Sequence, residues 1–237
     1  MYFPFDEIFE KCALFGINPD EVCKERLNTY ANLLIEWNEK MNLTAITDPR
    51  EVVYKHFYDC ILFLKNVDIP KNATVVDVGT GAGFPGMVLK IMRPDINLTL
   101  LDSLNKRLVF LEDVLNKTTL TANLLHSRAE DAGRNEKYRD SFDIACARAV
   151  ASLNALCEYC LPLVKPGGIF VSMKGPSAEE EINDAKNALK LCSGEVKEIK
   201  TETLTGEEER KFIIINKISQ TSPKYPRMGK KITKQPL

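Results

Sequence analysis

A run of small residues follows a short apolar stretch, VVDVGTGAGFPG, in which Asp77, Gly79, Gly81 and Gly83 alternate as D-x-G-x-G-x-G. Glycine inside a regular element costs roughly 0.5–1 kcal/mol relative to alanine, so this cluster indicates that something approaches the backbone closely. A second acid, Asp102, ends the next apolar stretch nineteen residues after Gly83. Because an acid so placed commonly accepts hydrogen bonds from ribose hydroxyls, the pattern predicts a nucleoside-bearing ligand.

Strands that alternate with helices must position these residues. Five β-prone runs, ATVVDVG, INLTLLD, ANLLHS, FDIACAR and GGIFVSMKG, are interspersed with predicted helices at 103–115, 151–164 and 177–191. Continuous apolar strands in this arrangement predict a parallel sheet covered on both faces. Two further runs, EVKEIKTETL and RKFIIINKI, lie close together and predict an antiparallel hairpin. We therefore predict an α/β fold with a seven-stranded Rossmann-like sheet whose last strand is antiparallel.

The first 65 residues are predicted to be helical. Apolar residues recur there at spacings of three and four, at Leu27, Tyr30, Leu34, Trp37 and Met41. Asn18 and Pro19 predict a helix start, with Asn18 as the cap and Pro19 in the first turn. The pattern breaks at 42–49 and resumes as a helix from about Arg50.

Composition and length bound the class of protein. The 237 residues are 44% hydrophobic and 27% charged, with a net charge of −1, which is typical of a soluble globular protein. No apolar run approaches the roughly 18 residues of a membrane span. The N-terminus lacks a signal-peptide pattern, and the seven cysteines are an odd number, so we expect a reduced, cytoplasmic protein. We predict a monomer with a helical extension, 1–68, packed on a core, 69–237; two separable domains divided near 66–72 are the alternative.

The glycine loop also bears on the kind of cofactor. GAGFPG satisfies the G-x-G-x-x-G pattern of NAD-binding domains, but this pattern alone is weak evidence for NAD binding. The carboxylate of Asp77, two residues before Gly79, suits a cationic ligand better than a pyrophosphate. In addition, the sheet of an NAD-binding domain usually continues with parallel strands, whereas an antiparallel hairpin is predicted here. Both features resemble the class I methyltransferases that use S-adenosyl-L-methionine (SAM), in which this loop wraps the methionine part. SAM is therefore the expected cofactor; an NAD-dependent oxidoreductase and a non-catalytic RNA-binding protein remain the alternatives.

The end of the fourth predicted strand bears on the methyl acceptor. It reads CARAVAS, with Arg148 where amino-group methyltransferases for adenine and cytosine commonly begin an Asn/Asp-Pro-Pro-aromatic motif. Cys146, which a carbon methyltransferase would need as a nucleophile, is predicted to be a core residue. Guanine N7 has its own lone pair and needs neither this motif nor a nucleophilic cysteine, because alignment of the reactants does most of the catalysis. The pair Cys157 and Cys160 is likewise predicted to pack in the core, with no metal.

Longer motifs resemble one family. DVGTGAGFPG, LLDSLNKRLVFLEDV, SRAED, ARAVASL and MKG, with WNEKMNLTAI and HFYDCI upstream and KYPRMGKKITKQPL at the end, are similar to the RsmG family, also called GidB. These are bacterial methyltransferases that modify guanine N7 in 16S ribosomal RNA (rRNA). The resemblance implies guanine 527, in the usual rRNA numbering, as the target, within 16S rRNA or a precursor of the small ribosomal subunit. Thr80 and Met228 are minor departures from the family pattern.

The resemblance also implies roles for individual residues. The loop would contact SAM, Asp102 would hold the ribose, and Ala129 with Glu130 would flank the adenine. Arg148 would lie near cofactor and target base as the candidate catalytic residue, with a structural salt bridge as the alternative. The complete set of expected cofactor-binding residues is Asp77, Gly79, Gly81, Gly83, Phe84, Asp102, Ser103, Ala129, Glu130 and Arg148.

The C-terminal tail is strongly basic. Five of the 32 basic residues lie in 221–237, which holds no acid. We expect the tail to bind RNA phosphates through Lys224, Arg227, Lys230 and Lys231, a solvated terminus being the alternative. Further phosphate contacts are expected from Lys40, Lys55, Lys106 and Arg107. Roles as caps or as RNA contacts are left open for Asn38, Asn42 and His56.

Overall fold

A seven-stranded sheet organises the computed structural model, which describes residues 1–206 and 208–237. The strands are β1 (Thr74–Val78), β2 (Asn97–Asp102), β3 (Asn123–His126), β4 (Phe142–Arg148), β5 (Val164–Lys174), β6 (Gly194–Thr203) and β7 (Glu209–Lys217). Their order across the sheet is β3-β2-β1-β4-β5-β7-β6. Strands β1 to β5 pair in parallel, whereas β7 is antiparallel to both β5 and β6. The predicted sheet with an antiparallel last strand is confirmed.

Helices precede the sheet and connect its strands. They are α1 (Phe5–Ala13), α2 (Glu21–Asn38), α3 (Pro49–Val52), α4 (Asp59–Asn66), α5 (Gly86–Met92), α6 (Asn105–Thr118), α7 (Ala129–Ala132), α8 (Leu153–Cys160), α9 (Ala178–Asp184), α10 (Lys186–Leu191) and α11 (Lys231–Lys234). A π-helical segment, Val53–Tyr58, joins α3 to α4, and a 3₁₀ turn, Leu161–Leu163, follows α8. The helical stretch predicted at 177–191 is confirmed, and it is divided into two helices, α9 and α10, on either side of Ala185.

The start of α2 differs from the prediction. Asp20, rather than Asn18, is the N-cap, and its Oδ1 accepts a hydrogen bond of 2.7 Å from the amide of Cys23. Pro19 consequently precedes the helix instead of lying in its first turn. The physical reason is that a carboxylate three residues before Cys23 satisfies an N–H group that the first helical turn leaves without a backbone partner.

The helical extension and the sheet share one apolar core. Leu27, Tyr30 and Leu34 on α2 are fully buried, in a cluster that also contains Val75 on β1 and Leu100 on β2. Burying an apolar side chain of this size contributes roughly 1.5–3 kcal/mol, so the extension is held mainly by this face. A second cluster on the other side of the sheet includes residues of α8, β5 and α10.

Within the described residues, none of the helices combines the length and the apolar character needed to cross a bilayer.

Candidate active site

The glycine-rich loop between β1 and α5 is organised by a buried carboxylate. Asp77 Oδ2 accepts hydrogen bonds from Thr80 Oγ1 at 2.7 Å and from the amide of Gly86 at 2.9 Å. Burial raises the pKa of Asp77 to about 6. Its second oxygen, Oδ1, is buried and finds no hydrogen-bond partner among the described residues. Asp77 thus braces the loop from the inside, and one of its oxygens keeps unused acceptor capacity.

Two physical constraints demand glycine in this loop. Three of its residues have the positive φ that disfavours side chains: Gly79 (+70°), Gly81 (+60°) and Gly83 (+98°). Gly86 is limited by space instead, because a Cβ there would lie 2.8 Å from Asp77 Oδ2. The close approach to the backbone that the sequence predicted is therefore made, in the first place, by the protein's own atoms.

A cleft of about 450 Å³ opens beside this loop at the carboxyl edge of the sheet; we call it the acidic cleft. Asp102 and Ser103 line it at the end of β2, and Ala129 and Glu130 line it at the start of α7. Asp102 exposes only 2% of its surface and Glu130 only 6%. These two nearly buried carboxylates, after which the cleft is named, are strong hydrogen-bond acceptors. The cleft is also lined by three cationic side chains: Arg107, Arg128 and Lys230.

The carboxylate of Asp102 is held in a defined orientation. Its Oδ1 accepts from the amide of Leu104 at 2.8 Å, and its Oδ2 accepts from the amide of Gly81 at 2.9 Å. Arg107 Nη1 lies 3.3 Å from Oδ2. Because a carboxylate has about four lone-pair positions, these contacts leave capacity for a further donor. The amide of Gly81 thereby couples the glycine loop to the acidic cleft.

A smaller pocket of about 200 Å³ also lies at the glycine loop. It is lined by residues 79–82 of the loop, by Phe84 and by residues of the helical extension and of β4. Gly79, Arg107 and Ala149 line both this small pocket and the acidic cleft. The two cavities are thus neighbours that share part of their lining.

An aromatic stack forms one wall of the small pocket. The ring of Phe84 lies between Tyr30, at 5.3 Å and 22°, and His56, at 4.8 Å and 23°. The guanidinium carbon of Arg148 is 4.8 Å from the centre of the Phe84 ring. Phe84 is therefore placed by stacking as well as by the loop.

His56 joins the helical extension to the end of β4. Its Nε2 lies 2.7 Å from Thr44 Oγ1, and its Nδ1 lies 3.3 Å from Arg148 Nη2. Burial, with the positive charge of Arg148, lowers the pKa of His56 to about 3, so the ring is neutral near pH 7. Because arginine can only donate, Nδ1 accepts and the Nε2–H donates to Thr44.

Arg148 has the structural salt bridge given above as its alternative role, and it also lines the small pocket. Its Nη1 donates to Asp59 Oδ2 at 2.9 Å and to the carbonyl of Lys55 at 3.0 Å. Asp59, which is fully buried, also accepts from Arg210 Nε at 2.6 Å. Nothing local in the sequence indicated Asp59 as the partner, although it lies within the motif HFYDCI.

The remaining candidates have structural surroundings. Asn38 Oδ1 accepts from the amides of Leu43 and Thr44, which caps the turn after α2, and Asn42 is exposed. Core packing is confirmed for the three cysteines singled out by the sequence, Cys146, Cys157 and Cys160, which are fully buried and not in disulfides. Across residues 1–206 and 208–237 there is no cluster of three or more side chains suited to a metal ion.

The basic tail is folded against the protein. Arg227 is paired with the buried carboxylate of Glu158, at 2.8 Å, while Lys224 and Lys231 are exposed. Lys230 is exposed as well but lines the acidic cleft. Sequence reasoning did not place this residue at the cleft, and it also missed Thr44, Tyr159, Gly229 and Thr233 as lining residues.

Sequence comparison adds close relatives to this geometry. The family model described as GidB, rRNA small subunit methyltransferase G, matches residues 23–213. Ribosomal RNA small subunit methyltransferase G of Clostridium perfringens (strain 13 / Type A) is 46% identical over 235 residues, 98% of each chain. The protein of the same name from Alkaliphilus metalliredigens is 47% identical over 228 residues, 95% of each chain.

Solved structures with this fold are more distant. Precorrin-6y C5,15-methyltransferase from Geobacter metallireducens has a TM-score of 0.52 at 14% identity, over 73% of this chain and 91% of that one. Ribosomal protein L11 methylase from Lactobacillus delbrueckii subsp. bulgaricus has a TM-score of 0.53 at 14% identity, over 69% and 79%. At these identities the likeness concerns the fold, which is that of class I SAM-dependent methyltransferases.

Proposed function

The chain belongs to the GidB family of rRNA small subunit methyltransferases G, and from this premise we propose that it methylates N7 of one guanine in 16S rRNA. The membership makes it a SAM-dependent rRNA methyltransferase. The finer assignment, to N7 of guanine 527, is supported by the resemblance of ARAVASL and HFYDCI to the family's motifs. The small pocket beside the glycine loop offers space for a base. We further propose a cytoplasmic location, where that RNA is made.

The residues of the acidic cleft fit SAM. We propose that Asp102 and Ser103 hold the ribose, whose hydroxyls are the donors that a fixed, nearly buried carboxylate requires. Glu130, with Ala129, would flank the adenine and accept from its amino group. The glycine loop, 79–84, would lie along the methionine part, where the orphaned oxygen of Asp77 favours a positive charge nearby. Bound there, SAM supplies an electrophilic methyl group.

We propose that the small pocket receives the target base. His56, which is half-buried and stacked on Phe84, offers an aromatic surface on which a base can stack, and Arg148 and Thr44 provide polar contacts in the same pocket. Because Gly79 and Arg107 line both cavities, a base in the small pocket would lie next to a cofactor in the acidic cleft. This adjacency is the single observation that carries the proposal.

Such an arrangement suits an N7 acceptor. N7 of guanine carries a lone pair and loses no proton before it is methylated, so the site needs no general base. A neutral His56 is consistent with this requirement, because it adds no positive charge beside a base that becomes cationic. The contribution of the protein is then the alignment of two bound reactants, which can lower a barrier by several kcal/mol. Arg148 would act by holding Phe84 and the base.

RNA phosphates would be bound by cations at the protein surface. We propose the exposed Lys224, Lys230 and Lys231 for this role, together with the exposed Lys40 and Lys106 and the half-buried Lys55 and Arg107. Arg227 was expected in this set, but its guanidinium is engaged by Glu158, which leaves it less available to a phosphate.

A methyl-transfer assay tests the proposal. Labelled SAM is supplied with 16S rRNA from a strain that lacks the gene, both as naked RNA and as small subunits, and the nucleosides are then separated. We expect label in 7-methylguanosine, and none with an Asp102→Ala variant that remains folded. Label in any other nucleoside would refute the assignment to N7. Calorimetry with NADH is the control for the oxidoreductase alternative and should show no binding.

A further inference from the structure

The C-terminal tail returns to the acidic cleft. Gly229, Lys230 and Thr233 line the cleft together with Tyr159 and Glu130, which are more than 65 residues earlier in the sequence. The tail therefore supplies part of the lining of a cleft whose other lining residues belong to the core.

The tail is anchored on both sides of Gly229 and Lys230. On one side, Arg227 makes a bidentate ion pair with Glu158, whose side chain is fully buried, through contacts of 2.8 to 3.1 Å. On the other side, Ile232 is fully buried. Upstream, Arg139 donates to the carbonyls of Thr221 and Tyr225. An exposed, freely solvated terminus would make none of these contacts.

The short helix α8 contributes both to the anchor of the tail and to the lining of the cleft. Glu158 and Tyr159 are neighbours on α8, so the residue that holds the tail is adjacent to a residue that lines the cleft. A tail fixed at Arg227 and at Ile232 has little freedom between them, and this keeps Gly229 and Lys230 at the cleft. Gly229 has a φ of +57°, which lets the chain turn there.

We propose that Gly229, Lys230 and Thr233 are part of the nucleoside-binding site, in which Lys230 and Thr233 contact the adenosine moiety and Arg227 positions them. The inference rests on the proposed function, because it takes SAM as the ligand of the acidic cleft. Lys230 can donate to ring nitrogens or hydroxyl oxygens of a nucleoside, and Thr233 can both donate and accept. The tail thus serves the cofactor, in addition to any contact with RNA.

A tail that lines the cofactor site and a tail that only binds RNA should differ in their effect on the affinity for an adenosine ligand. A pure phosphate-binding arm contributes nothing to the affinity for a small adenosine ligand. A segment that lines the cleft does contribute to this affinity, and its contribution requires no RNA. The affinity of the RNA-free protein for S-adenosylhomocysteine therefore separates the two.

Calorimetry on two matched variants provides the test. Lys230→Ala removes a cleft-lining lysine, whereas Lys234→Ala removes an exposed lysine of the same tail that does not line the cleft. We expect Lys230→Ala to weaken binding of S-adenosylhomocysteine about five-fold, the effect of losing one hydrogen bond. Lys234→Ala should bind within a factor of about 1.5 of the original protein. Thr233→Ala, which is exposed and lines the cleft, should also weaken binding.

The outcomes separate the inference from the function on which it rests. If the unaltered protein binds S-adenosylhomocysteine, and Lys230→Ala binds it as tightly as Lys234→Ala does, the inference is overturned and the proposed function stands. If the unaltered protein does not bind it, both fail. For Arg227 as a positioning residue, Arg227→Ala should raise the KM for SAM more than it lowers kcat, and Arg227→Lys should restore part of the loss.

Discussion

The guanidinium of Arg148 donates to the carboxylate of Asp59 over 2.9 Å, which ties the carboxyl end of β4 to the first residue of α4. Asp59 exposes no surface, and it accepts a second guanidinium, that of Arg210, from β7. One carboxylate therefore compensates two cations at the junction of the helical extension and the sheet. The small pocket is built on this junction.

Loss of Asp59 should be severe. Asp59→Ala leaves two largely buried guanidinium groups without their carboxylate, and removing one partner of a buried ion pair costs about 3–5 kcal/mol. Urea denaturation should show this decrease in the free energy of unfolding. Glu36→Ala is the control, because Glu36 and Lys40 form an exposed pair at 3.6 Å that should contribute about 1 kcal/mol or less. Equal effects of the two substitutions would contradict the assigned role of Asp59.

Acidification should destabilise the protein through His56. Its pKa is about 3 in the folded chain and near the usual 6.5 when unfolded, so between these values only the unfolded state binds the proton. Stability is therefore lost as the pH falls below 6.5, by about 1.4 kcal/mol per pH unit from this group. Asp77, whose folded pKa is about 6, acts in the opposite direction below pH 6.

Comparison with a His56→Gln variant isolates the contribution of the imidazole. Asp77 is present in both proteins, so its effect cancels from the difference between them. Urea denaturation at pH 7 and pH 5 should show that the stability advantage of the original protein over the variant shrinks by about 2 kcal/mol. Stability curves that stay parallel between these pH values would show that His56 titrates alike in both states.

The glycine loop should not tolerate a methyl group at Gly86. The new Cβ would lie 2.7 Å from Leu100 Cδ2 and 2.8 Å from Asp77 Oδ2, so Gly86→Ala should cost about 1–3 kcal/mol. It should also weaken binding of S-adenosylhomocysteine, because Asp77 braces the loop. Gly175→Ala is the matched control, since a Cβ there meets nothing within 4 Å. A Gly86→Ala protein as stable as the control would mean that the loop repacks freely.

The helical extension should not separate from the core. Because α2 and α4 share one apolar cluster with β1 and β2, we propose that 1–68 is an extension packed on 69–237 and not an independent domain. Limited proteolysis should therefore yield no stable fragment ending near 66–72, and the two parts should unfold in one transition. A fragment 1–68 that retained helical circular dichroism on its own would favour two domains.

The exposed lysines of the tail should govern the salt dependence of RNA binding. On single strands, log K falls with log[salt] by about 0.7 per neutralised phosphate, so Lys224→Ala with Lys231→Ala should flatten the slope by about 1.4. The affinity of the protein for S-adenosylhomocysteine should be unchanged. Lys186→Ala, an exposed lysine on α10, is the control. An unaltered slope would leave the tail as a structural element of the cleft alone.

The amino-acid sequence determined the sheet, the glycine loop and the two acids at the strand ends. These features depend on short-range patterns: apolar runs of strand length, glycines where φ is positive, and an acid at the end of β2. The same local patterns misplaced the N-cap of α2, because Asn18 and Asp20 are both good caps and only the position of the helix chooses between them. They could not reveal that α9 and α10 are two helices either.

The tertiary structure decided which groups those features meet. Arg148 and Asp59 are 89 residues apart in sequence, and Arg227 and Glu158 are 69 apart. A charge in the sequence carries no information about its partner, because salt bridges and stacked rings form only where packing of whole elements brings them together. For the same reason the basic tail could be predicted as a cluster of charge, whereas its return to the acidic cleft depended on the pairing of Arg227 with the buried Glu158 and on the burial of Ile232.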